Sequence, residues 1–354
     1  MSHIPHLTSH ISHPPSHIPY HVLTHHQNEY NRPILVDWNI TLPTTLLLDS
    51  LIRSIQVGSL YALMAIGLTL TLAVMRLPNF AHAELITVGA YVGLVSTNWI
   101  TGNLLLTITL CFIVAALVAL VSHKVVYQPL EQINSSIYTM ILATFALGLI
   151  WRYIIFILVD FFRLYDLRIK VPIAIWYQGQ AMTLTNIFFW VVPTAIILIV
   201  ALSLLLNFTG LGREMRALAD NRSLARVIGV PVDRVVNMTW ILTGGLAGVA
   251  GALWGVQTSV NPLMGFLAIL SVFAATILGG MTSFSGTILG AYVVGFSENL
   301  VMQLLNYYVG LDFSFKPAIP FIIIILVLLF RPQGLTGFTE SLRTRTIRRS
   351  PAPQ

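Results

Sequence analysis

Charged side chains are scarce in this sequence: Asp, Glu, Lys and Arg make up 9% of 354 residues, against 56% hydrophobic ones. A soluble domain carries about 25% charged residues, so this chain lacks the polar surface to keep a globule in water. That excludes a secreted domain, a nucleic-acid binder and most cytosolic enzymes. Cysteine is nearly absent: Cys111 stands alone inside an apolar run, which excludes an intrachain disulfide framework. Lysine is reduced to Lys124, Lys170 and Lys316. None follows a glycine, as a phosphate-cradling G-x-x-x-x-G-K-[ST] loop requires. Neither His82 nor His123 sits in an H-E-x-x-H context, and no Ser/His/acid set stands at recognisable spacing. The chain therefore reads as a non-enzyme with no cofactor of its own. Any uphill transport must draw on a partner or a coupled ion.

What is present is length of apolar sequence. A helix crossing about 30 Å of hydrocarbon at 1.5 Å per residue needs about 20 mostly apolar residues. Candidate spans lie near 52–75, 81–99, 104–122, 137–158, 187–206, 236–256, 266–280, 286–305 and 318–330. The fold expected is an all-α polytopic membrane protein with eight or nine transmembrane helices. The seventh segment, GFLAILSVFAATILGG, is short enough to be broken or re-entrant, which a bilayer accepts where protein surrounds it. With the C-terminus in the cytoplasm, twelve of the Lys and Arg side chains fall inside, among them Arg76, Lys124 and Arg213, and six fall outside, among them Arg53, Lys170 and Lys316. This follows the positive-inside bias and puts the N-terminus outside. The expected location is the plasma membrane.

Three regions follow: a His/Pro-rich tail over 1–50, a membrane body over 51–338 and a basic cytoplasmic tail over 339–354. Eight of ten histidines lie in the first 30 residues, including His3, His6, His10, His13 and His17. Pro5, Pro14, Pro15 and Pro19 break any helix there. A disordered tail and a transition-metal-binding tail are the two readings, the second because unprotonated imidazoles suit zinc, copper and nickel. No cleavable signal peptide is expected, since the first apolar run begins near residue 51.

The informative soluble stretch is 207–235, NFTGLGREMRALADNRSLARVIGVPVDRV, on the inner side. Met215, Leu218, Ala219, Ala225 and Ile228 fall near one face at helical spacing, with Arg213, Arg216, Arg222 and Arg226 around the others. The pattern falters at Asn221, which predicts two short helices, and Gly229 before Val230-Pro231 is a stop signal. Such an amphipathic element docks in a partner's groove or lies on lipid headgroups; periodicity alone does not choose.

Four stretches resemble a known family. They are GSLYALMAIGLTLTLAVMRLPNFAHAEL (Gly58 to Leu85), GREMRALADNRSLARVIGV, ATILGGMTSFSGTILGA, and RPQGLTG after the last span. Together they are similar to the permease subunits of ATP-binding-cassette importers for branched-chain amino acids, a family that includes urea and amide permeases. The resemblance implies that Arg216, Ala217, Ala219, Asp220, Ala225 and Gly229 form the segment that couples to separate ATPases. It also implies two cassette ATPase subunits, a second permease that is a paralogue, an extracytoplasmic solute-binding protein, and alternating access. ATP is then used by the partners and not by this chain. Two positions depart from the pattern, Ala83 and Thr282, where the family has glycine; both add bulk at a turn.

In the turn Pro78-Asn79-Phe80-Ala81-His82-Ala83-Glu84, Asn79 is a candidate N-cap, and Glu84 suits the positive end of the following helix. His82 and Glu84 alternatively line the solute path, as intramembrane ionisable groups often do. Glu298 faces the bundle or the path, and Arg152 snorkels or pairs near a helix end. Gly244, Gly248, Gly251 and Gly255, and Gly286 with Gly290, form small-residue stripes that permit close helix packing. Trp151, Trp176, Trp190 and Trp254 read as interface anchors. The leading reading is a permease for branched-chain or other neutral amino acids. A urea or amide permease is an alternative within the family. An ion-coupled secondary transporter, using intramembrane acids such as Glu298, is an alternative outside it.

Overall fold

The computed structural model describes residues 44–171, 174–178, 183–331, 334 and 335. The histidine-rich segment with His3, His6, His10, His13 and His17, and the basic tail over 339–354, lie outside the described residues. In chain order the helices are α1 (Thr44–Met75), α2 (His82–Val95), α3 (Leu104–Ser122), α4 (Gln128–Gln132), α5 (Ile137–Phe162), α6 (Asn186–Phe208), α7 (Gly210–Asp220), α8 (Arg222–Val227), α9 (Val232–Gln257), α10 (Met264–Gly279), α11 (Phe284–Phe296), α12 (Met302–Val309) and α13 (Ala318–Phe330). Single π turns continue α2 at Ser96–Ile100, join α3 to α4 at His123–Tyr127, and join α11 to α12 at Ser297–Val301.

Each of the nine apolar segments is helical. Among the described residues, seven helical stretches are long and apolar enough to cross a membrane: Leu47–Met75, Leu104–Gln132, Ile137–Phe162, Asn186–Phe208, Val232–Gln257, Phe284–Val309 and Phe313–Phe330. Met264–Gly279 is apolar but shorter; at 1.5 Å per residue its 16 residues rise about 24 Å. It packs against α1, α2, α11 and α13, the enclosed setting in which a short segment is tolerated. The exception to the helical pattern is a small antiparallel hairpin, β1 (Ile175–Gln178) with β2 (Thr183–Thr185), in the loop before α6.

Local chemistry sets the helix ends. Asn103 accepts hydrogen bonds from the amides of Leu105 and Leu106, Ser136 from Thr139, and Ser283 from Gly286, so each satisfies backbone N–H groups that the first turn leaves open. Gly310 closes α12 in the left-handed region at φ 71°.

Helix α1 is the hub. In its most apolar window 89% of residues are buried, against 17% for the last span, so α1 is surrounded by this chain's own helices while α13 lies at the edge of the bundle. It packs on α9, α10, α11 and α6, and α9 packs on α2 and α3. Lipid tails are as apolar as leucine, so close van der Waals packing takes over the role that water-driven burial has in soluble cores. The glycine stripes supply it. A Cβ at Gly251 would stand 1.9 Å from the Ile86 carbonyl oxygen of α2, and one at Gly248 would stand 2.6 Å from the Cys111 carbonyl oxygen of α3. Ala83 keeps the close approach despite its extra methyl, because the glycine is on the facing helix: a Cβ at Gly265 would lie 1.9 Å from the Ala83 carbonyl oxygen. Thr282 is exposed in the turn between α10 and α11, so its bulk meets no packed neighbour.

Candidate functional site

Two places combine polar chemistry with a surface: the α7–α8 unit and a cavity at the opposite end of α1.

In the first, the two-helix expectation and its break at Asn221 hold. Thr209 caps α7 by accepting from the Gly212 amide at 3.2 Å, and Asn221 caps α8 by accepting from the Leu224 amide at 3.0 Å. Gly229 ends the unit at φ +89°, with its amide donating to the Arg226 carbonyl and the Val230 amide to the Ala225 carbonyl. Met215, Leu218 and Ala225 are buried, and Ala217 and Ala219 half-buried, which seats the unit against the membrane body. Arg216, Asp220 and Gly229 are exposed. Ile228 was expected on the inward face but is exposed, because α8 stops at Val227 and the chain turns out of helical phase before it. Leu224, Val227 and Ile228 together present an apolar patch. Arg222 is pinned to the membrane body by a two-pronged ion pair with Glu131, its Nη2 at 2.8 Å from Oε2. Arg216 donates to the Leu206 carbonyl. Arg76, itself left-handed at φ 54°, donates from Nη2 to the carbonyls of Ala219 and Asp220, both at 3.1 Å. A cation on the last carbonyls of α7 satisfies groups the helix leaves open and complements its dipole. It also ties the end of α1 to the α7–α8 unit.

The turn before α2 is built differently from the N-cap expected. The helix starts at His82, with Ala81 in the flanking position and no side-chain cap. Asn79 Oδ1 instead accepts from the Ala81 amide at 3.1 Å, inside the turn, and from the Tyr127 hydroxyl at 3.3 Å. Tyr127 in turn stacks on Trp240, centroids 4.9 Å apart. His82 is fully buried, and its Nε2–H donates to the Met64 carbonyl at 3.0 Å. Glu84 and Arg152, singled out separately in the sequence, are partners. Arg152 donates to Glu84 Oε1 from Nε at 2.9 Å and from Nη2 at 2.6 Å. The guanidinium carbon lies 4.0 Å over the Phe266 ring. This ties α2, α5 and the start of α10 together. Asn79, His82 and Glu84 do not line the cavity described next; the geometry around them is that of a brace.

The cavity, about 420 Å³, lies between the first turns of α1, the start of α6, the end of α9 and the π turn after α11. These are the ends opposite the α7–α8 unit. Arg53, Gln56, Val57 and Leu60 follow helical spacing along one wall. Tyr61 forms the floor, edge-on to Trp254 at 6.0 Å. Beneath it Glu298 is 3% exposed and accepts from the Tyr61 hydroxyl at 2.8 Å and from the Ser271 hydroxyl. Of the path candidates chosen from sequence, Glu298 alone approaches this space, through Tyr61, while Trp254, expected as an interface anchor, lies on its wall. Sequence reasoning missed Tyr61, Gln257, Asn299 and Lys316. The signal available was the run of Asp49, Arg53 and Gln56 on one face of an otherwise apolar helix. Among the described residues, no group of His, Cys, Asp and Glu could hold a metal ion.

The family described as branched-chain amino acid transport system / permease component matches residues 50–328. The LivH protein of Methanocaldococcus jannaschii is 34% identical over 79% of this chain and 89% of its own length. The high-affinity branched-chain amino acid transport system permease protein LivH of Escherichia coli K12 is 27% identical over 83% of this chain and 96% of its own. BraD of Pseudomonas aeruginosa, a permease protein described in the same words, is 27% identical with the same coverage. The match takes in the glycine-sealed bundle, the α7–α8 unit and most of the cavity wall, and this chain belongs to the permease-component family of branched-chain amino acid transport systems.

Proposed function

We propose that this chain is one permease of a heteromeric inner-membrane importer that carries branched-chain or other neutral amino acids into the cell. ATPase subunits of the cassette type supply the energy by docking on α7–α8, and an extracytoplasmic binding protein delivers the solute. The complement proposed is two ATPases and a second, paralogous permease, with ATP consumed by the ATPases and none bound by this chain. The observation that carries this reading is the exposed Leu224, Val227 and Ile228 patch on a short helix, flanked by arginines and tied through Arg76 to the hub helix. An apolar patch held out on a braced support suits insertion into a groove on a partner. Movement of the ATPases would then reach α1 through Arg76 and the membrane body through Arg222–Glu131.

The test is reconstitution of this chain with its partner permease, ATPases and binding protein in vesicles. ATP-dependent leucine uptake is expected, and the double substitution Val227→Asp/Ile228→Asp should lower ATPase co-purification and uptake at least tenfold while the chain still inserts. Uptake by this chain alone on a proton or sodium gradient would overturn the reading.

A further inference from the structure

The cavity has a chemistry that the α7–α8 unit does not explain. Val57, Leu60, Ile187, Phe188 and Trp254 give it an apolar lining, interleaved with polar side chains. The Lys316 ammonium donates to the neutral Asn299 amide oxygen at 3.0 Å, which takes one of its three N–H bonds. Arg53 stands at the rim in an i,i+4 pair with Asp49 at 2.7 Å. Gln257, also on the wall, has a side-chain amide nitrogen that is buried and meets no acceptor. That nitrogen has essentially no accessible surface, so it is not a contact for a ligand in the cavity. The lining thus combines two cationic side chains and one carboxylate with apolar side chains. At about 420 Å³ the space sits at the small end of the roughly 300–1,000 Å³ typical of small-molecule sites. That is ample room for a solute the size of an amino acid.

We propose that this cavity is the receiving site for a single aliphatic α-amino acid released on the outer side. Lys316 and Arg53 hold its carboxylate. Asp49 stands at the rim for its ammonium, and its side chain lies against Leu60, Ile187 and Trp254. This deepens the transport function proposed above and rests on it. Tyr61 positions the floor. Its hydroxyl is committed to Glu298, which in turn holds Ser271 of α10, so pressure on the floor is passed to the helix behind it.

The experiment uses the full reconstituted complex. Cys111 is buried, so the wild-type chain offers no exposed thiol, and Gln56→Cys places one on the cavity wall. A charged, membrane-impermeant thiol reagent applied from outside is expected to cut uptake at least tenfold. Leucine delivered by the binding protein is expected to slow the modification severalfold. Protection is read from the labelling rate itself, so a variant that transports poorly still reports. Lys316→Gln is expected to raise the KM for leucine about tenfold, and Lys316→Arg to restore most of it. Labelled Gln56→Cys that transports at the unlabelled rate, or labelling indifferent to leucine, overturns the site while leaving the transport function standing. A wild-type complex that takes up no amino acid overturns both.

Discussion

Glu84 and Arg152 separate a structural from a transport role for the turn before α2. Their side chains are 1% and 16% exposed, so removing one partner leaves the other charge enclosed. Breaking a buried pair in this way costs about 3–5 kcal/mol, and loss of Arg152 also removes its stacking over Phe266, worth roughly 0.5–2 kcal/mol. At about 2 °C per kcal/mol for a chain of this size, Arg152→Met should lower the melting temperature in detergent by roughly 7–14 °C. The double substitution Glu84→Leu/Arg152→Met removes both charges together and should recover most of that loss, because well-packed apolar replacements of a buried pair are often neutral. If the pair is a brace, the double variant also keeps the wild-type KM for leucine in the reconstituted complex. A double variant no more stable than Arg152→Met refutes the energetic argument. Normal melting with a KM raised tenfold refutes the brace and puts Glu84 on the solute path.

Arg76→Ala removes two exposed hydrogen bonds to the end of α7 and should cost about 1 kcal/mol locally; hydrogen exchange at residues 210–220 should quicken, and leucine moved per ATP hydrolysed should fall, with chain abundance unchanged. Gly251→Ala places a Cβ 1.9 Å from the Ile86 carbonyl oxygen and should force α2 and α9 apart, at about 1–3 kcal/mol. Gly102→Ala, where nothing lies within 4 Å of the new atom, is the matched control, and equal melting temperatures for the two would refute the seam.

Much of this was legible in the sequence because it rests on composition and spacing. Apolar runs located all seven long spans and the shorter α10, while the candidate at 81–99, which holds α2, does not figure among them; the Asn221 break and Gly229 stop located α7 and α8, since caps and left-handed turns are read locally. Three things were not legible. The Glu84–Arg152 pair joins residues 68 positions apart, and no periodicity reports such a meeting. The exposure of Ile228 follows from where α8 ends, one residue earlier than the face pattern assumes. The cavity was hidden because its wall after α11 is a π turn, Ser297–Val301. That turn inserts a residue into the helical count and moves Glu298 and Asn299 out of the phase a regular helix assigns them.

Helix α1 is longer than the hydrocarbon it crosses. Its 32 residues rise about 48 Å at 1.5 Å each, while the oily layer is about 30 Å thick. Measured up from its inner end at Met75 and taken upright, the greasy slab ends near residue 55, so Asp49 and Arg53 stand among hydrated headgroups. The doorway they frame is therefore open to bulk water. An incoming zwitterion can shed its hydration shell stepwise on the way down to Leu60, and never has to meet bare lipid.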